Sequence, residues 1–198
     1  VEGGIEEELL PPLLANVFKG ILGSHRKTDP VFISFPFPPN GYGEIPKNLR
    51  TLARLHDYPS EWKRLGCDLF LIIHDSAGTQ EVQKEVKAIL QDLPFPYVYG
   101  LAIQETEAWV LGDIEHVNRQ VFQIRPQPEL PQAPERDPDP KRTLTDLFIK
   151  PSRHIDFDRW NRGCARAVAP HMRWSQVASH CPRGFGRMVQ SLRHKRRP

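Results

Sequence analysis

The sequence predicts an α/β layered domain: a central, largely parallel sheet flanked by helices, with a helical C-terminal part. Three observations carry that prediction. Two continuous apolar runs, CDLFLIIHD (67–75) and YVYGLAIQ (97–104), have the character of strands covered on both faces. Between them, TQEVQKEVKAILQDL (79–93) is amphipathic at helical spacing, with Val82, Val86, Ile89, Leu90 and Leu93 on one side. Strand, helix and strand in that order form the pattern of a parallel crossover. The length of 198 residues suits one domain.

The other elements follow in order. Residues 4–22 read as a helix, with Ile5, Leu9, Leu10, Leu13, Leu14, Val17, Phe18 and Ile21 in a wide apolar stripe. Pro11 and Pro12 either kink it or mark its true start. VFISFPF (31–37) reads as a short strand ending in prolines, and the segments 47–56 and 59–65 read as helical. ETEAWVLGDIEHVNRQVF (105–122) reads as a helix broken near Gly112, where Asp113 can cap a second segment. Six prolines between Gln123 and Pro140 predict a long, extended, mobile loop. LTDLFIK, FDRWNRGCARAVAPHM and GFGRMVQSLRHK read as helices. The expected organisation is an α/β core over 1–122, a proline-rich loop over 123–140 and a helical part of the same domain over 141–198.

Composition narrows the function classes. No apolar run approaches the ~18 residues that a membrane span needs. The first ten residues carry four glutamates and no positive charge, unlike a signal peptide. The chain begins without Met, so further residues are expected upstream. Cys67, Cys164 and Cys181 form no metal-binding pattern and suit a reducing, cytoplasmic compartment, with Cys67 expected in the core. Net charge is only +3, but Arg159, Arg162, Arg166, Arg173, Arg183, Arg187 and the closing RHKRRP gather the basic residues late in the chain. Such a flank can track nucleic-acid phosphates or form a solvated tail.

Acidic residues fall where predicted strands end, which is where open α/β sheets hold their ligands. Glu2 would stand at the exit of a strand preceding residue 1. Gly3 and Gly4 allow a tight turn, and Glu6 then points back from the first helical turn. Asp75 ends the 67–75 strand. Glu105 and Glu107 follow the 97–104 strand, with Asp113 further on. Hard oxygen ligands gathered at one edge would hold Mg²⁺ or Mn²⁺. Each acid also has a plainer reading: Glu2 as a solvated terminus, Glu6, Glu7 and Glu8 as helix-dipole partners, Asp75 as a cap, and Glu105 and Glu107 as first-turn acids.

VEGGIEEELLPPLL resembles the opening of the Toprim domains of overcoming-lysogenization-defect nucleases. The chain as a whole resembles a small Toprim-like family found beside ATPase genes. The matching segments are LFLIIHDSAG, IQETEAWVLGD, DPKRTLTDLF, AVAPH and CPRGFGRMV. The resemblance implies a Toprim (Rossmann-like) fold and two-metal phosphodiester chemistry in a phage-defence or mobile-element module. It implies that Glu2 and Glu6 are the opening acidic pair and that Asp75 is the first acid of an Asp-x-Asp motif. Glu105, Glu107 and Asp113 would be the later acids, with Lys141 as a phosphate contact. Ala77 replaces the second acid of Asp-x-Asp, and a methyl group binds no cation.

The remaining motifs are weaker. The eight histidines show no zinc spacing, no phosphate-cradling GxxxxGK motif is present, and Ser76 lacks a nucleophile-elbow context. His74 is either an aid to proton transfer or a buried, hydrogen-bonded strand histidine. Trp160, among Arg153, Arg159 and Arg162, is the tryptophan best placed to stack on a base. The expected function is a metal-dependent nuclease that uses Glu2, Asp75 and Lys141 on nucleic-acid phosphates. The alternative is a catalytically degenerate binding or regulatory subunit of an ATPase partner.

Overall fold

A computed structural model of the chain describes residues 4–22, 44–54, 69–76, 80–93, 95–130 and 133–194. The expected strand at 31–37 and helix at 59–65 lie outside these residues, as do Glu2, Cys67 and Ala77.

The described chain is mixed α/β and mostly helical. Helix α1 (Gly4–Leu22) is followed by α2 (Ile45–Arg54), strand β1 (Phe70–Asp75), α3 (Gln80–Gln91) and strand β2 (Tyr97–Ala102). Then come α4 (Glu107–Leu111) and α5 (Ile114–Val117), the latter extended by a π turn at Asn118–Phe122. After the proline-rich stretch come α6 (Pro140–Leu144), with a π turn at Thr145–Ile149, and α7 (Arg162–Val168). The last two helices are α8 (Trp174–His180) and α9 (Arg187–His194). Among the described helices, none is long and apolar enough to cross a membrane.

Helix α1 runs through Pro11 and Pro12 rather than starting there. An interior proline costs about 3 kcal/mol through its missing N–H and ring clash. Leu9, Leu10, Leu13, Leu14 and Val17 are all buried on this helix. Burying one leucine or valine side chain stabilises by roughly 1.5–3 kcal/mol, so five of them outweigh the prolines.

Among the described residues the sheet has two strands, parallel as expected from the crossover. The register pairs Phe70 with Tyr97 and Asp75 with Ala102, so both strands end at the same edge. Alternation then separates two cores. Phe70 and Ile72 join Leu49 and Leu52 of α2 and Val86 and Leu90 of α3, with Phe95 closing that cluster. Ile73, Val98 and Ala102 join the larger cluster formed with α1 and the helices after α3. Helix α9 lies close on β2: a Cβ on Gly100 would come 2.6 Å from the Met188 sulfur.

The proline-rich stretch departs from the mobile loop expected of it. Its described residues are tied at several points. The Asn118 side chain donates to Ile124 O at 3.1 Å and accepts from Ile124 N at 2.9 Å. A 3₁₀ turn at Pro134–Arg136 buries Glu135, whose carboxylate accepts from Arg183 N at 3.0 Å and Gly184 N at 2.5 Å. Prolines restrict the backbone, and the acids supply acceptors for distant amides, a pairing that composition does not reveal.

Gly184 sits where this stretch meets β2. An added Cβ would stand 2.6 Å from Leu101 O and 2.9 Å from the Glu135 carboxylate. Neither neighbour can yield without losing a hydrogen bond or moving the strand. Gly184→Ala is expected to cost about 1–3 kcal/mol, read as a lower denaturant midpoint at unchanged slope.

Candidate carboxylate–lysine site

The carboxyl edge of the sheet is held together by three local bonds. Ser76 N donates to Ala102 O at 2.7 Å, continuing the parallel pairing one residue past β1. Gln104 N donates to Ser76 Oγ at 2.8 Å, and Thr106 N donates to Asp75 Oδ1 at 2.9 Å. Gln104 itself has φ 65°, a left-handed backbone that a non-glycine residue adopts only under constraint. This turn carries the chain from β2 into α4 with Glu105, Thr106 and Glu107 at its corner.

Side chains from four segments meet there. The buried Thr106 hydroxyl donates toward Glu6 Oε1 of α1 at 3.1 Å and toward Glu107 Oε2 at 3.3 Å. One hydroxyl carries one proton, so it cannot fully satisfy both carboxylates. Lys141 Nζ, in the first turn of α6, stands 3.4 Å from Glu107 Oε1. At that distance the ammonium attracts the oxygen as a charge but leaves it without a well-formed hydrogen bond. Glu107 Oε1 and Glu105 Oε2 are both buried and have no hydrogen-bond donor among the described residues.

Titration reflects this arrangement. Burial raises the Glu107 carboxyl above the usual range; Lys141 opposes the rise, while Glu105 and Glu6 add to it. Burial alone would lower the Lys141 ammonium, but attraction to Glu107, Glu105 and Glu6 outweighs it and holds Lys141 above its usual value, firmly cationic. Among the described residues, the cluster therefore combines three glutamates with one ammonium.

Its position follows from neighbouring sequence. Asp139 caps α6 by accepting from Arg142 N at 2.9 Å, with Pro140 in the first turn, and this sets Lys141 toward α4. On the far side of Glu107, Ala108 and Trp109 are fully buried. Trp109 meets Phe185 edge-on at 5.0 Å, and Cys181 Sγ donates to Ala108 O at 3.3 Å. The EAW and CPRGF segments thus pack against each other and anchor the corner. Burial pushes the Cys181 and Cys164 thiols up, so both are protonated core groups.

The sequence-expected residues divide accordingly. Glu6, Glu105, Glu107 and Lys141 come together, and Asp75 joins them by holding the Thr106 amide. Glu2 lies outside the described residues. Asp113 is elsewhere: it stands at the N-cap position of α5, as expected, but its side chain makes no capping hydrogen bond and turns to Arg173 instead. Its buried carboxylate accepts from Arg173 N at 2.7 Å and pairs with the Arg173 guanidinium at 2.5 Å. Of the glutamates that open α1, Glu7 pairs with Arg162 at 2.9 Å and Glu8 with Arg166 at 2.7 Å, which fastens α1 to α7. Only Glu6 turns to the pocket.

Two further expectations are decided by burial. Trp160 lies in the core at 4% exposure, so it is not a stacking platform. His74 is buried: its Nδ1–H donates to Asp75 O at 2.8 Å and its Nε2 accepts from the Tyr99 hydroxyl at 2.7 Å. Burial depresses its imidazole, which stays neutral and structural. Sequence reasoning missed Thr106, the pivot of the site. Its position between two glutamates in IQETEAW was the available signal.

Among the described residues, no group of three or more His, Cys, Asp or Glu side chains is placed so that it could hold a metal ion. The donor chemistry nonetheless fits a hard divalent cation, because buried carboxylate oxygens stand without donors. Comparison with protein-family models, curated proteins and solved structures gives no match for this chain.

Proposed function

We propose that the chain is a Toprim-like, divalent-metal-dependent phosphodiesterase acting on nucleic acid. One observation carries the reading: among the described residues, Glu6, Glu105 and Glu107 share a single ammonium, Lys141, and one buried oxygen each of Glu105 and Glu107 lacks a hydrogen-bond donor. Burying like charges together is costly unless a cation offsets them. The parallel strands and the separate cores on their two faces support the layered, Rossmann-like arrangement expected of such a protein.

Glu105, Glu107 and Glu6 are the residues that would hold Mg²⁺ or Mn²⁺. When bound, the cation would polarise a phosphoryl oxygen and acidify a water molecule. The protein's own groups do the rest. Lys141, half exposed and firmly cationic, would hold a phosphate oxygen beside the carboxylates. Asp75 fixes the Thr106 amide and so aims Glu105 and Glu107 at the same space. The Thr106 hydroxyl keeps Glu6 and Glu107 apart at a set distance.

A second reading has one specific support. Ala77 stands where Toprim nucleases carry a second acid, which favours a degenerate binding or regulatory subunit, with an ATPase as its partner. Cleavage separates the two readings. Supercoiled plasmid and single-stranded DNA incubated with Mn²⁺ should be cut by the wild-type chain. Glu105→Gln should lose at least about a hundredfold in rate, the range for removing a charge-stabilising group. Equal cutting by both proteins would mark a contaminating nuclease, and no cutting by either would leave the regulatory reading.

A further inference from the structure

Lys141 reaches Glu107 from the end of a short segment, DPDPK (137–141). The two acids of that segment stand in different surroundings. Asp139 is exposed and caps α6 by accepting from Arg142 N. Asp137 is buried, at 5% exposure, and its Oδ1 accepts from Asp139 N at 3.0 Å. Its other oxygen, Oδ2, is buried and has no hydrogen-bond donor among the described residues. A carboxylate oxygen kept from water without a donor costs stability, and acids in loops ordinarily face solvent.

What this burial secures is one amide, and the amide belongs to the residue that starts α6. With its N–H held, Asp139 turns its side chain to Arg142 N and its carbonyl to Thr143 N, the latter at 3.0 Å. Pro138 and Pro140 restrict the backbone on either side of it. Beyond the cap, Lys141 O accepts from Thr145 Oγ1 at 2.9 Å, and that hydroxyl accepts from Trp160 N at 3.1 Å. The backbone of Lys141 is therefore held from both sides. A lysine needs such support, because its flexible stem loses rotamer freedom when the ammonium is kept in one place.

We propose that Asp137 is the positioning residue for Lys141: its buried carboxylate holds the Asp139 amide, and so brings the Lys141 ammonium to Glu107 instead of into water. Asp137 acts through the backbone. The acids that act most on the Lys141 charge are Glu107, Glu105 and Glu6. The task of the ammonium so placed, holding a phosphate oxygen, rests on the phosphodiester reading above; the placement itself does not.

The test is acylation of the metal-free protein by acetic anhydride at neutral pH, with each lysine followed by mass spectrometry. Only the uncharged amine reacts, so contact with Glu107 keeps Lys141 slow. Asp137→Ala removes the acceptor and should speed Lys141 acylation about threefold or more, within the range for losing a partly exposed ion pair. Asp137→Asn keeps an acceptor oxygen for Asp139 N and should stay close to the wild-type rate. Lys87 on α3 should react alike in every variant, whereas a general loosening of the fold would speed it too. In Glu107→Gln, Lys141 should already react fast, and adding Asp137→Ala should change little, because both act on one contact. An unchanged Lys141 rate in Asp137→Ala overturns the proposal, as does an equal rise in Asp137→Asn or full additivity with Glu107→Gln. Hydrogen exchange of the wild type decides the matter even if Asp137→Ala fails to fold: the Asp139 amide should be protected, and rapid exchange there overturns the proposal. No metal or DNA enters these measurements. Failure of the wild type to cut DNA would sink the phosphodiester reading alone, and unchanged acylation would sink the positioning role alone.

Discussion

Adding Mn²⁺ to the metal-free protein is expected to raise its melting temperature by about 5–10 °C, and Glu107→Gln is expected to remove that rise. A ligand that binds only the folded state stabilises it by about 2.7 kcal/mol at one hundred times its Kd. For a chain of this size each kcal/mol moves the melting temperature by about 2–4 °C. The carboxylates that would take the ion come from α1 and from the β2–α4 corner, segments brought together only by folding. An unfolded chain offers no such site.

The same residue sets a pH dependence whose sign can be derived. Burial holds the folded Glu107 carboxyl above its unfolded value, so the folded state keeps that proton more tightly. Its contribution to stability is complete below about pH 4.3, the ordinary glutamate value. It is lost as pH rises through the raised folded value. Each unit of that rise is worth about 1.4 kcal/mol. Without metal, Glu107→Gln should therefore melt above the wild type at neutral pH, and its advantage should shrink as pH falls toward 4. Thermal melts of both proteins in EDTA across that range check this. A variant that melts lower at neutral pH, or a Mn²⁺ shift equal in both proteins, would contradict the cation-site account.

Arg173→Ala is expected to destabilise the fold by about 3–5 kcal/mol, a loss of about 6–20 °C, because it leaves the Asp113 carboxylate buried without its counter-charge. The pair is asymmetric. The Asp113 side chain is 1% exposed and that of Arg173 is 44% exposed. Removing the acid instead leaves a guanidinium that water can reach, so Asp113→Asn should cost markedly less. It should also retain the full Mn²⁺ shift, since Asp113 serves the junction between α5 and α8. Denaturant titration of both variants tests the asymmetry. A Mn²⁺ response lost in Asp113→Asn would return this residue to the cation site.

The trade at Glu107 illustrates a wider pattern in the molecule. Stability is given up at the β2–α4 corner, where Gln104 is left-handed and two carboxylate oxygens lack donors. It is recovered in the packing around that corner, where Trp109 and Phe185 meet and α9 closes on Gly100. A corner held so firmly from behind can keep like charges together in front.

Much of this was legible in the residues themselves. The apolar runs at 67–75 and 97–104 and the amphipathic segment between them announced a parallel crossover, because burial on two faces leaves no polar alternation. The acids at the strand ends could be read as neighbours for the same reason: parallel strands end at one edge. What sequence could not separate was the destination of each charge. Glu6, Glu7 and Glu8 are adjacent and chemically identical, yet successive helical residues point about 100° apart, so one enters the pocket and two fasten α1 to α7. Asp113 matched a spacing but met an arginine sixty residues away. Trp160 and Trp174 both stand among basic residues, and only packing decided that the first is core and the second is partly buried against Gly20 and under Arg193. Among the described residues, the sequence by itself determined the β1–α3–β2 crossover, most of the helices around it and which residue types could do chemistry, but not helix α8 (Trp174–His180). Only the tertiary structure decided which charges face one another, because that depends on contacts between residues far apart in the chain.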